Sequence, residues 1–124
     1  MESLKKNSDF KQVYDHKKSM ANRLLVMYKR PNGLHFNRLG ISISRKVGKA
    51  VVRNRIRRLV KEHYRAYEKV KEVDKVSRVG IKQGFDLVVV VRVPSGNLPP
   101  KADFSEIGHA LKHLLGKHGL RTGL

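Results

Sequence analysis

Apolar positions along the chain switch between two periods, and the switches outline a fold. After Asn7 and Ser8, the residues Phe10, Val13 and Tyr14 recur at i, i+3 and i+4. That spacing predicts a short amphipathic helix to about His16, capped by one of the two preceding polar residues. Leu24 to Tyr28 is a short apolar run, and Leu39-Gly-Ile-Ser-Ile-Ser44 alternates strictly, with the turn residues Pro31-Asn32-Gly33 between them. The two runs are expected to pair antiparallel. In the second, Leu39, Ile41 and Ile43 should face a core, which leaves Gly40, Ser42 and Ser44 as a small, hydrogen-bonding face for a ligand.

From about Lys49 to Tyr67 the period lengthens again. At about 100° per residue, Val52, Ile56, Leu59, Val60, His63 and Tyr67 share one side of a helix, while Arg53, Arg57, Arg58, Lys61 and Arg65 occupy the rest. The stretch from Glu68 to Gln83 (68–84 with its closing glycine) is mixed in charge and reads as a helix extension followed by a surface loop. Phe85 to Val93 contains Val88-Val-Val-Val91, a β-branched run suited to a central strand. Asp103, placed before Phe104 and three residues ahead of Glu106, resembles a capping box after Pro99-Pro100. Ile107, Leu111, Leu114 and Leu115 then form the stripe of a final helix packed on the sheet. Gly108 should weaken that helix by roughly 1 kcal/mol relative to alanine. No internal repeat interrupts the 124 residues, which suffice for a single domain over 1–124 with an ordered core of about 4–115.

Charge narrows the function. Lys and Arg outnumber Asp and Glu by 28 to 10, giving a formal net charge of +18, so a polyanionic partner is expected. The 40% apolar content argues against a disordered basic tail. With no cysteine, disulfides and thiolate metal sites are excluded. The amino terminus shows no signal-peptide apolar region, and no run approaches the length of a membrane span. A soluble cytoplasmic protein without a membrane partner is expected.

Between Arg53 and Arg65 stand six basic residues and one acid, Glu62, so the i to i+4 ion pairing of a solvated helix is missing and the repulsion calls for an external anion. The abundance of Arg favours nucleic acid over lipid headgroups, because its planar fork bonds phosphate bidentately and stacks on bases. No second helix joined by a tight turn precedes this one, which favours RNA over a DNA major groove. Gly48 either permits an unusual turn that brings backbone amides near phosphate or is an ordinary loop glycine. Phe10, Tyr14, Tyr28 and Phe36 suit stacking on unpaired bases or, alternatively, filling a core.

Catalytic groups are harder to find. His109 and His113 have the spacing of a zinc helix, but Ala110 stands where a zinc protease places its glutamate, so they are expected to be surface histidines. Asp86 is isolated in a strand, Asp9 and Asp15 lie six apart, and no carboxylate cluster for metal-dependent hydrolysis emerges.

The segment Ser44-Arg-Lys-Val-Gly-Lys-Ala-Val-Val-Arg-Asn-Arg-Ile-Arg-Arg58 resembles the protein subunit of bacterial ribonuclease P, with Arg53-Asn-Arg55 matching that family's signature. Asp9 to Tyr14, Leu39 to Ser44 and Phe85 to Arg92 extend the resemblance, in the family's order, over roughly 4–115. It implies an α/β sandwich with a small, mainly antiparallel sheet, three helices and a rare left-handed crossover through the basic helix. It further implies a ribonucleoprotein endoribonuclease in which the RNA subunit, with Mg2+, removes the 5′ leader of precursor tRNA, while the protein supplies no catalytic residue and binds no cofactor or DNA. By resemblance, Arg45, Lys46, Lys49, Arg53, Asn54, Arg55 and Arg58 contact RNA, and Phe10, Tyr14, Tyr28, Arg57 and Lys61 line a cleft for the leader. Two other readings fit the charge: a structural RNA binder of the ribosomal type, and a nuclease acting alone.

Overall fold

The computed structural model describes residues 2–77, 84–92 and 104–119. In chain order the elements are β1 (Glu2–Ser3), α1 (Asn7–Asp15), β2 (Ser19–Ala21), β3 (Leu25–Pro31), β4 (Arg38–Ser42), a 3-10 turn (Arg45–Val47), α2 (Ala50–Ser77), β5 (Phe85–Val91) and α3 (Phe104–Lys117). The strands form one sheet in the order β1-β4-β5-β3-β2. The valine-rich run is therefore its middle strand, as its composition predicts. Helix α2 runs past Tyr67 to Ser77, which bears out the extension; the loop expected after it, the Asp103 cap and Pro99-Pro100 lie outside the described residues.

One expectation about the strands, the direct pairing of the two apolar runs, needs correction. The sheet is mixed: β4 runs parallel to both β1 and β5, while β3 is antiparallel to both β5 and β2. The two apolar runs do not pair with each other, because β5 lies between them; Val89, for example, is registered with Met27 on one side and Ile41 on the other. Asn32 explains why the turn is no tight hairpin. Its Oδ1 accepts from Leu34 N at 2.8 Å, and its Nδ2 donates to Phe36 O at 3.1 Å and to Asp86 Oδ1 at 2.9 Å. The loop is thereby braced on β5 rather than closed on itself. The parallel β4–β5 pair needs a long crossover, which α2 supplies.

The two faces of the sheet carry different layers. Leu25, Met27, Leu39, Leu87, Val89 and Val91 form one core with Ile56, Leu59, Val60 and Tyr64 of α2 and with Ile107, Leu111, Leu114 and Leu115 of α3. Helix α1 covers the opposite face, where Leu4, Val13 and Val88 make a smaller core. Its N-cap is Lys6, without a side-chain bond, so neither Asn7 nor Ser8 performs the predicted capping; both already lie inside the first turn. Gly108, expected only to weaken α3, is the seat of His63 from α2: a β-carbon there would meet the imidazole, 2.7 Å from Nδ1. The missing side chain lets the two helices approach.

The end of α3 is fastened to β3 by two groups. Lys29 Nζ donates to His118 O at 2.7 Å and lies 4.6 Å from the Phe85 ring centroid. His118 is buried, and its Nε2 lies 2.8 Å from Met27 O, an arrangement that requires the proton on Nε2; Nδ1 has no partner. Burial lowers the imidazole pKa below its ordinary 6.5, the bond to Met27 opposes this, and Lys29 and Lys18 reinforce the lowering. The unfolded chain therefore binds the proton more readily than the folded one. This contribution to stability is complete above about pH 6.5 and declines as pH falls from there toward the depressed folded value. Urea midpoints measured from pH 8 to 5 should fall less for His118→Gln than for the wild type, and equal falls would refute the assignment.

Candidate nucleic-acid interface

The path into α2 is set by backbone chemistry. Ser44, in an extended conformation, accepts a bond at Oγ from Lys46 N at 3.2 Å and so caps the 3-10 turn. Gly48 follows with φ 155° and ψ −171°, a combination open essentially to glycine alone, so the turn is an unusual one that needs this residue. Its N–H donates to Arg45 O at 3.2 Å, and its carbonyl accepts from Arg53 Nε at 3.2 Å. Arg53 thus braces the turn from a half-buried position. Arg45, Lys46 and Lys49 stand exposed around it.

Along α2 the polar residues sort into two surfaces. Asn54, Arg55 and Arg58 are exposed on the outer side, opposite the buried Ile56, Val60 and Tyr64. Arg53 and Arg55 are two positions apart, about 200° around the axis, so the two arginines of the signature point to different sides. Arg53 shares the flank with half-buried Arg57 and Lys61 at i+4 and i+8, and Arg57 Nη1 donates to Asn54 Oδ1 at 3.3 Å. Residues 45–58 include seven basic and no acidic side chains. Among the described residues the ion pairs join Lys11 to Asp15, and Arg30 and Arg38 to Asp86; none involves a cation of this segment. The positive field of the segment is thus uncompensated from within.

Phe10, Tyr14 and Tyr28 gather on the α1 face of the sheet, half-buried against Leu4, Val13 and Val88. Tyr14 and Tyr28 meet edge to face with centroids 4.9 Å apart. Gly40 makes room for Phe10: a β-carbon there would lie 2.6 Å from Phe10 Cζ. Beyond Gly40 the same face of β4 continues to Ser42, where the strand ends, and Ser44, the extended cap of the basic turn, follows two residues later. The core-filling reading is thus partly met, since each of the three rings packs against the smaller core while remaining only half-buried. Phe36 is the exception; it sits exposed in the β3–β4 loop, away from this cluster.

Tyr64, a fully buried member of the α2 core, and the Asp86 cluster were both missed by the sequence reading. Asp86 is fully buried, receiving Arg38 Nε at 2.8 Å on Oδ1 and Nη2 at 2.7 Å on Oδ2. The signal was present, because an acid inside a β-branched strand needs a partner. His109 and His113 are exposed, as expected. Among the described residues no group of three or more His, Cys, Asp or Glu could hold a metal ion, and no helix is long and apolar enough to cross a membrane.

A basic helix entered through a glycine-only turn, beside an aromatic-lined sheet face, is the arrangement of an RNA-binding α/β protein. The family model described as Ribonuclease P matches residues 1–119. The Ribonuclease P protein component of Alkaliphilus oremlandii is 43% identical over 94% of this chain and 90% of its own length, and that of Clostridioides difficile is 46% identical over 90% and 87%. Among solved structures, the Staphylococcus aureus RNase P protein aligns with a TM-score of 0.77 at 30% identity over 97% of both chains. The Thermotoga maritima RNase P protein aligns at 0.73 and 33% identity, covering 94% of this chain and 97% of that one. The chain belongs to the ribonuclease P protein family, whose members are the protein component of a ribonucleoprotein endoribonuclease that processes the tRNA 5′ leader together with an RNA subunit. The ribosomal-type alternative is not favoured.

Proposed function

We propose that the outer face of α2 and the turn before it bind the catalytic RNA subunit, while the α1 face of the sheet holds the unpaired 5′ leader of precursor tRNA. Arg45, Lys46, Lys49, Asn54, Arg55 and Arg58 supply the RNA contacts, with Arg53 fixing the turn that presents them. Phe10, Tyr14 and Tyr28 stack on leader bases, and Arg57 and Lys61 neutralise its phosphates. Mg2+ belongs to the RNA subunit, and the protein contributes binding rather than a reacting group. The observation that carries this reading is the uncompensated charge of residues 45–58, exposed at the end of a sheet face lined with accessible aromatic rings. Stacking and charge grip a single strand without reading base identity.

Reconstitution tests it. With Mg2+, precursor tRNA should be cut at the mature 5′ end when protein and RNA subunit are combined at limiting salt, and the protein alone should leave it intact. Cleavage by the protein alone would overturn the division of labour. Arg57→Ala with Lys61→Ala should weaken binding of leader-bearing precursor by about tenfold, at about 0.7 kcal/mol per contact, and leave mature tRNA unaffected. Equal loss for both RNAs would remove these residues from the leader cleft.

A further inference from the structure

We infer that Val51 makes an apolar contact with the partner RNA, resting against the face of a nucleotide between phosphates held by the surrounding cations. The inference deepens the assignment of the outer face of α2 and rests on it. Val51 is 81% exposed, far more than the other exposed large apolar residues, Phe36 at 42% and Met20 at 40%. Single apolar residues on a surface are common and need no explanation by themselves. Its setting is what distinguishes this one. Every other apolar residue from Val52 to Tyr67 with a described burial turns at least partly inward, except Ala66. Val51 instead lies at i−3 from Asn54 and i−4 from Arg55, on the same exposed side as Arg58.

Folding gives no reason for valine here. A β-branched side chain in the first turn is a poorer helix former than alanine and has little to pack against. The neighbouring cations specify an anionic occupant, and a nucleic acid offers apolar surface, the faces of unpaired bases and the carbon edge of ribose, immediately beside phosphate. An acidic protein surface would match the charge but would not place apolar area at that spacing by its own repeat. Contact with a nucleotide face removes apolar area from water and releases no counterion. That difference separates Val51 from its neighbours experimentally.

The test is a titration of the full-length protein with the ribonuclease P RNA subunit across a salt series, using wild type, Val51→Ala, Val51→Ile and Arg55→Ala. Val51→Ala should bind about fivefold more weakly, with an unchanged log-log salt slope and with helix content and Tm at or above wild type. Val51→Ile should bind as wild type or more tightly. Arg55→Ala should weaken binding and reduce the slope by about 0.7 to 0.9. Wild-type affinity for Val51→Ala beside a weakened Arg55→Ala would overturn this inference alone. A reduced slope or reduced helix content for Val51→Ala would also overturn it, by making the residue part of the charge interface or of the fold. Wild-type affinity for Arg55→Ala as well would overturn the assignment of this face, and the inference with it.

Discussion

Asp86→Ala is expected to cost about 3–5 kcal/mol of folding stability, the range for removing one partner of a buried ion pair. Arg38 and Arg30 are its registered neighbours on β4 and β3, so one carboxylate joins three strands across the middle of the sheet. The Arg38 fork bonds both oxygens, Asn32 adds a third bond, and Arg30 lies 3.8 Å away. Bonding to Asp86, the largest influence on Arg38, raises the guanidinium pKa further, so Arg38 stays charged throughout the ordinary pH range. Truncation strands the partly buried Arg38 and frees the Asn32 amide that braces the β3–β4 loop. For a domain whose total stability is about 5–15 kcal/mol, that is a large fraction. Urea unfolding measures it; a loss below about 1 kcal/mol would show that solvent screens the pair as it does at a surface.

The second large effect concerns RNA. Replacing Lys49, Arg55 and Arg58 together by alanine should weaken binding to the RNA subunit on the order of 100-fold, at about 1 kcal/mol per charged contact, and should lower the salt slope by about 2 to 3. All three are exposed, so the urea midpoint should stay at the wild-type value. Filter binding at several salt concentrations separates this from a folding defect. An unchanged slope would mean that these side chains do not neutralise phosphates.

Where the sequence foretold the structure, the information was local. The stripe from Val52 to Tyr67, the valine run and the Ile107 to Leu115 stripe each repeat a period over enough residues to declare an element. The small face of Gly40 and Ser42 was legible for the same reason, and so was the basic segment, since like charges adjacent in sequence remain adjacent on a helix. The misses were non-local or too short. Nothing in Pro31-Asn32-Gly33 announces that a strand from beyond α2 will part its two flanking runs. Glu2–Ser3 and Ser19–Ala21 are edge strands with no apolar alternation to betray them. Gly108 could be read only as a weak helix former until His63 appeared above it. The Arg53-Asn-Arg55 signature invites treatment as one contact surface, and helical geometry divides it.

The central position of β5 bears on how the polypeptide reaches this state. Its partner Arg38 is 48 residues away along the chain, and without the strand β4 and β3 have no mutual hydrogen bonds to fall back on. Pairings of such high contact order slow folding. During synthesis from the amino terminus, the cationic helix emerges before the strand that completes the sheet. A nascent chain ending before Phe85 should therefore remain protease-sensitive, and maturation should come in one late, cooperative step.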